Sequence, residues 1–475
     1  MLDSAATMRD GGSPPDSPRR RARRRGNLAF TLAALVVGSA SCGPPAEPSA
    51  AAVAPDATSR SSPAAAPPVR RASLLALEEA ERLAALGYTE FAEGDGGAEP
   101  DADADARTGV VLLDRQRACP GYSLVSVIPL DVAELVDLDG RVLNRWSLDG
   151  GLWLARCALL PSGDVLVVGT RGDPADPVHY LARLSWTGEV RWLSDAPAHH
   201  DVELTPRGEV LALVSRPRPL PAIDASRDVQ DNLLALFALD DGRPLGELSL
   251  ADVLLDGPHP VDFQDDPLIH PRPADHAAVR AEGRTEGRLE GADWLHANSA
   301  QWMPWPALAG RSPLYDPANV LVSLRHQSLV AIVNWDRREL VWVWGRGELR
   351  HQHEATWLRS GNLLVFDNGD DERGWSRLVE VDPRQDRIVW QWIAPEPRAF
   401  YSRGQGTAQE LPNGNVLVGF SAAGEAFELA RDGTVVWRLL DPYRDGKGRR
   451  ASLRIERYAP DVVEPLLERL GRRGG

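Results

Sequence analysis

The sequence has little lysine and little cysteine, and each shortage excludes a class of protein. Among 53 basic residues Lys447 is the only lysine, so a bound oxyanion must be met by arginine or histidine. Three cysteines cannot build a disulfide scaffold or a four-cysteine zinc site. The 68 acidic residues give a net charge of −15, which excludes a general nucleic-acid binder because nothing would displace counterions from a phosphate backbone.

The N-terminal residues have the pattern of an export signal. Six arginines within 19–25 precede an apolar run at 28–37, which is too short to span a membrane, and small residues then lead to Cys42. A cysteine directly after Ser-Ala-Ser resembles the lipobox of bacterial lipoproteins. We therefore predict an export signal over 1–42 and a lipid anchor on Cys42. The mature protein would lie in the periplasm or at the outer membrane or cell surface. Ordinary signal-peptidase cleavage is the alternative.

Residues 43–108 are predicted to be a disordered linker. Alanine, proline and serine dominate its first part and acidic residues its last part, so it cannot bury enough apolar area to fold. Leucines at helical spacing predict one short helix near 72–87, ended by Gly87. The last residues, 461–475, are assigned to a C-terminal tail.

Between these ends a short motif returns four times around a turn glycine. Each copy places glycine where φ must be positive and follows it with an apolar strand, which is typical of half a β-hairpin. The four copies surround Gly163, Gly208, Gly361 and Gly414.

A second motif alternates with the first and predicts the fold. Its six copies end at Trp146, Trp192, Leu248, Trp344, Trp390 and Trp437. The first two tryptophans are 46 residues apart and the last three are 46 and 47 apart, which is typical of propeller blades. Two hairpins per repeat give four strands. The sequence therefore predicts an all-β protein, a six-bladed β-propeller with four-stranded blades, over 109–460.

Three further features of the propeller follow from the pattern. The tryptophans are expected to fill the gaps between blades and not to bind a ligand. Irregular spacing predicts an insertion over 251–292, a loop or small lid. Either 110–113 or 453–458 is expected to complete a terminal blade.

Cys119 and Cys157 form either one disulfide between the first two blades or two buried thiols.

Histidines recur at matching places in the predicted innermost strands, which line the channel of a propeller. His200 and His353 each lie eight residues before a turn glycine, and His296 opens the fourth blade in a comparable place. Equivalent positions point at a common axis, so we expect these three imidazoles to converge, with His326 at the same mouth.

Two kinds of site fit such a ring of histidines. A metal site would use histidine ligands supported by carboxylates, for which Asp201 and Glu354 are candidates. An oxyanion site would use imidazole and guanidinium groups, with Arg325 and Arg373 as bidentate partners and histidine as acid, base or nucleophile. These residue types leave both open.

Several longer motifs resemble the bacterial arylsulfotransferases and their relatives over about 121–440. The motifs are PGYSL at 120–124, HHD at 199–201, DWLHANS at 293–299, SLRHQS at 323–328, QH at 352–353 and DNG at 367–369. The resemblance implies an exported propeller that moves a sulfuryl group from an aryl sulfate to a phenol through a sulfohistidine, without a nucleotide donor. We expect no cofactor and no metal.

The resemblance also assigns roles to single residues. It places catalytic groups at His353, His296 and Arg373. It places Asn298 alongside them. We further expect Asn298, His200, Arg325, His326 and Tyr401 to bind the substrate.

The nucleophile is left open by the same resemblance. It places the covalent histidine in a blade after the Gln-His pair, yet no histidine follows His353. Either another channel histidine is the nucleophile, or transfer is direct, or only binding remains. A non-catalytic exported propeller that binds an anion or a partner protein is therefore the alternative function, and a metal-dependent hydrolase is a third.

Overall fold

The computed structural model describes residues 107–470 apart from 129, 174–175, 258–259, 262–292 and 444–451. The predicted export signal, the lipidation site Cys42 and the helix near 72–87 lie outside the described residues. Within them, the fold is built almost entirely from antiparallel strands.

The first twelve strands are β1 (Gly109–Leu113), β2 (Tyr122–Ile128), β3 (Ala133–Val136), β4 (Val142–Trp146), β5 (Gly151–Leu159), β6 (Val165–Asp173), β7 (Asp176–Leu184), β8 (Val190–Ser194), β9 (Ala198–Leu204), β10 (Glu209–Leu220), β11 (Asp224–Ala238) and β12 (Pro244–Ser249). The others are β13 (Ala297–Trp302), β14 (Asn319–Leu324), β15 (Leu329–Asn334), β16 (Glu339–Trp344), β17 (His353–Trp357), β18 (Leu363–Asp367), β19 (Arg377–Asp382), β20 (Arg387–Ile393), β21 (Thr407–Glu410), β22 (Val416–Phe420), β23 (Glu425–Leu429), β24 (Val435–Leu440) and β25 (Ser452–Tyr458).

These strands form six small sheets in a ring, which confirms the predicted six-bladed β-propeller. Blade 1 contains β2–β4 together with β25, and blades 2 to 5 contain β5–β8, β9–β12, β13–β16 and β17–β20. Blade 6 contains β21–β24 with β1 added at its outer edge. The innermost strands are therefore β25, β5, β9, β13, β17 and β21.

Both ends of the propeller close the ring. The C-terminal strand β25 pairs with β2 as the innermost strand of blade 1, with Ser126 opposite Arg454. The N-terminal strand β1 pairs with β24 in blade 6, with Gly109 opposite Leu440. The two closures predicted as alternatives thus occur together. Backbone hydrogen bonds across both junctions resist opening of the ring, since each edge is paired.

Four of the recurring tryptophans each join one blade to the next. Trp192 of blade 2 donates its indole N–H to the carbonyl of Leu239 in blade 3 at 2.8 Å. Trp437 of blade 6 donates to Leu138 in blade 1 at 2.9 Å. Trp146 and Trp344 donate in the same way to Ser185 and Asp386. Their role is packing between blades, as the sequence predicts.

In the described part of the chain, two α-helices lie outside this pattern. Helix α1 (Leu250–Leu255) begins at the predicted insertion, and the Ser249 side chain caps it by accepting from the Asp252 backbone N–H at 3.0 Å. Helix α2 (Pro460–Leu470) occupies the first part of the predicted C-terminal tail and buries Val463. No helix among the described residues is long and apolar enough to cross a membrane.

The two cysteines of the propeller are buried free thiols. Cys119 and Cys157 form no disulfide with each other, so the second of the two alternatives holds. Burial raises the pKa of Cys157 to about 12, which keeps that thiol protonated and unreactive.

Candidate functional site

Irregular backbone marks the inner strands where they face the channel. The pairing of β9 with β10 and of β17 with β18 shifts by a bulge next to His200 and after His353. The φ angles of His200, His296 and Gln405 are 59°, 47° and 59°. A non-glycine residue in this region is strained by about 1–3 kcal/mol, and such residues cluster at functional sites.

Four histidine rings form one continuous cluster. The ring centroids are 4.9 Å apart for His199 and His200, 4.9 Å for His200 and His296, and 4.6 Å for His296 and His326. The exposed fractions of His200 and His296 are 7% and 3%. The predicted convergence of histidines from separate blades is therefore confirmed for these rings.

Asp293 holds two of these rings through their Nδ1 atoms. Its carboxylate accepts from His296 Nδ1 at 2.6 Å and from the His296 backbone N–H at 3.0 Å. Its backbone carbonyl accepts from His326 Nδ1 at 2.5 Å. Carbonyl and carboxylate oxygens only accept, so both rings carry a hydrogen on Nδ1, and the neutral form of each ring has its lone pair on Nε2.

The SLRHQS motif at 323–328 holds residues 294–296 in place through hydrogen bonds to their backbone carbonyls. The backbone N–H groups of Arg325 and His326 donate to the carbonyls of His296 and Leu295 at 3.2 and 3.1 Å. Gln327 Nε2 donates to Trp294 at 2.9 Å. The DWLHANS and SLRHQS motifs are thus parts of one backbone arrangement, which positions His296 and His326.

His353 is held by a different partner. Its Nδ1 lies 2.9 Å from Asn368 Oδ1, and Asn368 Nδ2 donates to the carbonyls of Ser402 and Gln405 at 2.8 and 2.6 Å. Asn368 Oδ1 must therefore be the acceptor, so the hydrogen of His353 is on Nδ1. Its Nε2 accepts the Gln405 backbone N–H at 3.1 Å.

Asn298, assigned to substrate binding, supports the strand that carries His353. Its Nδ2 donates to the carbonyl of Gln352 at 2.9 Å, and the residue is fully buried. Gln352 in turn donates to Leu329 at 2.7 Å. These bonds tie blades 4 and 5 together directly behind His353.

Buried arginines complete the histidine cluster. Arg325 and Arg454 are each 4% exposed, and Arg454 Nη1 donates to the carbonyl of His200 at 2.8 Å. Burial, followed by the charge of Arg325 and a smaller effect of Arg454, holds the pKa of His353 well below its usual range. Burial likewise lowers the pKa values of His199 and His326 to about 3. These imidazoles are therefore neutral near pH 7.

A layer of carboxylates surrounds a third arginine in the channel. Arg156 Nε lies 3.2 Å from Asp201, and its Nη2 lies 3.2 Å from Glu354 and 4.0 Å from Glu456. Asp201 and Glu354 therefore form ion pairs with an arginine, whereas the sequence offered them as supports for metal-bound histidines. Burial raises the pKa of Asp201 to about 6 despite Arg156.

The sequence contained a signal for this arginine that was missed. Arg156, Asp201 and Glu354 each lie seven residues before a turn glycine, one position after the register used for the histidines. Arg454 has no such signal, because its strand is followed by a helix and not by a hairpin.

Arg373 and Tyr401 have partners outside the histidine cluster. Arg373 donates from Nη1 to the Asp367 carboxylate at 2.7 Å and from Nε to the Trp375 carbonyl at 2.9 Å, and its guanidinium stacks on the Trp375 ring. The Tyr401 hydroxyl donates to Asp371 at 2.9 Å. The structure thus places His296 in the histidine cluster and His353 within electrostatic range of it, but gives Arg373 partners within its own blade.

Donor atoms of Asp293, His296 and His326 all lie within 4.8 Å of one another and could hold a metal ion. The Nδ1 atoms of both histidines are already bonded to Asp293, so a metal would have to use their Nε2 atoms. In that arrangement Asp293 would orient the ligands, as carboxylates behind metal-bound histidines commonly do.

The fold and site together define a class: a six-bladed propeller whose inner strands and adjoining loops bring together histidines and buried arginines. The model of the family described as arylsulfotransferase (ASST) matches residues 181–443, more than half of the chain. The chain belongs to the arylsulfotransferase family. No curated protein matches the sequence significantly.

Solved structures similar to the chain share little sequence with it. A protein of unknown function from Bacteroides caccae is 15% identical, with a TM-score of 0.43 and coverage of 71% of this chain and 100% of that one. A virginiamycin B lyase from Staphylococcus aureus is 8% identical, with a TM-score of 0.38 and coverage of 71% and 89%. The periplasmic gluconolactonase PpgL from Pseudomonas aeruginosa is 12% identical, with a TM-score of 0.39 and coverage of 70% and 98%.

Proposed function

We propose that this protein transfers a sulfuryl group from an aryl sulfate to a phenol by way of a channel histidine. The observation that carries the proposal is a pair of imidazoles, His296 and His353, each fixed with its hydrogen on Nδ1. His353 lies within electrostatic range of both His296 and the buried guanidinium of Arg325. Membership of the arylsulfotransferase family supports aryl sulfates and phenols as the substrates.

His353 is the proposed nucleophile. Asn368 keeps the hydrogen on Nδ1, so the lone pair that attacks sulfur is on Nε2. In the first step the Nε2–S bond forms, the bond between sulfur and the aryl oxygen breaks, and the phenolate leaves and takes a proton from solvent. Before the reaction the Gln405 backbone N–H donates to this Nε2. The sulfuryl group takes the place of that N–H.

His296 is the proposed base for the second step. Its bond to Asp293 stabilises the imidazolium that forms when Nε2 takes the proton of the acceptor phenol. The phenol oxygen then attacks sulfur and the N–S bond of His353 breaks. His296 returns its proton to solvent, so that overall one proton moves from the acceptor phenol to the donor phenolate.

Buried arginine suits the charge distribution of this reaction. Sulfuryl transfer, like phosphoryl transfer, spreads negative charge over the oxygens that do not react, so fixed cationic donors supply much of the catalysis. Arg325 is 4% exposed and close enough to lower the pKa of His353. Its interaction with a sulfuryl oxygen is strengthened by exclusion of water.

A transfer assay tests the proposal. Purified protein is incubated with 4-nitrophenyl sulfate, with and without phenol, and release of 4-nitrophenol is followed. We expect release that depends on the acceptor, is abolished in His353→Ala and is retained in His351→Ala, which removes a half-buried histidine two residues before β17. Without acceptor, mass spectrometry should find one SO3 group on the peptide that contains His353. Turnover that persists in His353→Ala would contradict the assignment.

The low exposure of the imidazoles favours one alternative, an exported propeller that binds an anion without catalysis. His353 is only 4% exposed and His296 only 3%. Saturable binding of sulfate by a folded protein that releases no 4-nitrophenol would establish this second function. One tightly held zinc ion per chain, found by metal analysis of the same sample, would instead support a metal-dependent hydrolase.

We also propose that the protein is exported and anchored to a bacterial membrane through Cys42. The proposal rests on the arginines, apolar run and small residues that precede this cysteine. Metabolic labelling with a fatty acid should mark the wild type and not Cys42→Ser. Secretion of unlabelled wild-type protein would mean ordinary signal-peptidase cleavage.

A further inference from the structure

Strand β25 supplies the histidine cluster with an arginine that lies outside the family match. Arg454 is the third residue of this strand, eleven positions beyond the end of the matched region at residue 443. It is 4% exposed, and its Nη1 donates to the backbone carbonyl of His200 at 2.8 Å. The last strand of the propeller therefore brings a guanidinium to a residue on β9, two blades away in space.

The alternation of side chains along β25 explains where Arg454 points. Ile455 packs into the core shared with blade 6, and Arg457 forms a buried ion pair with Glu428 of that blade. Successive side chains in a strand point to opposite faces, so Arg454 and Glu456 lie on the other face. Glu456 is there within 4.0 Å of Arg156 on β5, so this face points away from blade 6 and toward the innermost strand of blade 2.

Arg454 also lies within electrostatic range of the proposed nucleophile. Its charge contributes to the low pKa values of both His200 and His353, after larger effects that begin with burial. Arg325 acts on His353 in the same direction. The ring of His353 thus lies within range of guanidiniums from two sources, the loop after β14 and strand β25.

We propose that Arg454 binds a sulfuryl oxygen in this site and shares the charge of the transferring group with Arg325. This inference rests on the proposed function and adds to it a residue that the family motifs do not contain. A guanidinium holds its N–H donors in a planar fork that matches two oxygens of one anion. The strand that closes the ring then also completes the anion site.

The test measures binding and turnover separately. Affinity for inorganic sulfate is measured by calorimetry, and kcat/KM for 4-nitrophenyl sulfate is measured with phenol as acceptor. The variants are Arg454→Gln and, as matched control, Arg438→Gln, which removes a 43% exposed arginine of outer strand β24. We expect the Kd for sulfate to rise about 10–100-fold in Arg454→Gln, since a charge-assisted hydrogen bond is lost, and to stay unchanged in Arg438→Gln.

The possible outcomes separate the two proposals. Equal sulfate affinity and equal kcat/KM in the wild type and in folded Arg454→Gln would overturn the role of Arg454 while leaving sulfuryl transfer intact. Sulfate binding that needs Arg454 in a protein without turnover would uphold the anion site and overturn transfer. If Arg454→Gln does not fold, Arg454→Lys is used, because it keeps the charge but loses bidentate geometry. About 10-fold weaker binding is then expected, and unchanged binding would contradict the inference.

Discussion

Asp293 and His296 form a carboxylate–imidazole pair in which both carboxylate oxygens are used. One oxygen accepts the His296 backbone N–H at 3.0 Å and the other accepts the ring Nδ1–H at 2.6 Å. Burial alone would raise the pKa of Asp293, but His296 and His326 outweigh it and the pKa is lowered. The carboxylate therefore stays ionised and fixes both the tautomer and the direction of the ring.

Replacing this carboxylate should damage catalysis more than folding. In Asp293→Asn an amide can adopt the same position but cannot stabilise an imidazolium. We expect kcat for sulfuryl transfer to fall on the order of 10²–10⁴-fold with little change in the melting temperature. Steady-state kinetics and thermal unfolding of the same preparation measure both. An unchanged kcat would remove His296 from the mechanism.

Asn368 should act through its acceptor oxygen on His353. Asn368→Ala removes the partner of Nδ1, so that the ring can rotate and change tautomer, and we expect kcat to fall on the order of 10-fold. Asn368→Asp keeps an acceptor for Nδ1 and loses the donors to Ser402 and Gln405. The aspartate variant should retain more activity than the alanine variant. The reverse order would show that the contacts with the loop matter and the contact with His353 does not.

Stability should fall with acid because the cluster buries neutral histidines. The pKa of His199 is about 3 in the folded protein, below the ordinary value of 6.5. As the pH falls through about 6.5, the unfolded chain takes up a proton that the folded chain does not. The contribution of this histidine to the free energy of unfolding is therefore full above this pH and declines towards pH 3. From pH 8 to pH 5.5 one such histidine lowers the free energy of unfolding by about 1.4 kcal/mol.

Denaturant unfolding at the two pH values measures this effect. In His199→Phe, which keeps a ring but cannot titrate, the difference between pH 8 and pH 5.5 should shrink by about 1.4 kcal/mol. A difference equal to that of the wild type would mean that His199 does not carry the shift.

Arg373 should matter for stability and not for substrate binding. Its guanidinium bonds Asp367, a fully buried carboxylate that Arg377 also contacts at 2.7 Å. In Arg373→Gln one of two cationic partners is lost, and we expect the free energy of unfolding to fall by about 1–3 kcal/mol with KM unchanged. A large loss of kcat at unchanged stability would restore the catalytic role that the family resemblance gives this residue.

The thiols of Cys119 and Cys157 should react only on unfolding. Both are buried and unpaired with one another. Iodoacetamide should leave both unmodified in the native protein and modify both in denaturant without reductant. Peptide mass spectrometry distinguishes the two sites from Cys42. A linked peptide pair that appears only without reductant would show a disulfide instead.

Much of this fold follows from local chemistry that the sequence displays. A glycine such as Gly361, with φ of 89°, marks a hairpin turn that other residues rarely adopt. Tryptophans on the fourth strand of a blade, such as Trp192 on β8 and Trp437 on β24, mark the junction between blades. Equal spacing of His200 and His353 from their turns located the channel. Asp293 could have been found in the same way, because it lies three residues from His296 and so within reach of its ring.

The sequence by itself determined the number of blades, the strands that line the channel and most of the histidines in it, because each depends on a turn and on residues close along the chain. Tertiary structure alone decided that both ends close the ring and that Arg454 reaches His200. It also decided that the guanidinium of Arg373 bonds to Asp367 within its own blade. These contacts depend on how the ring closes and on which partner each buried charge finds, and neither is written in the spacing of one repeat.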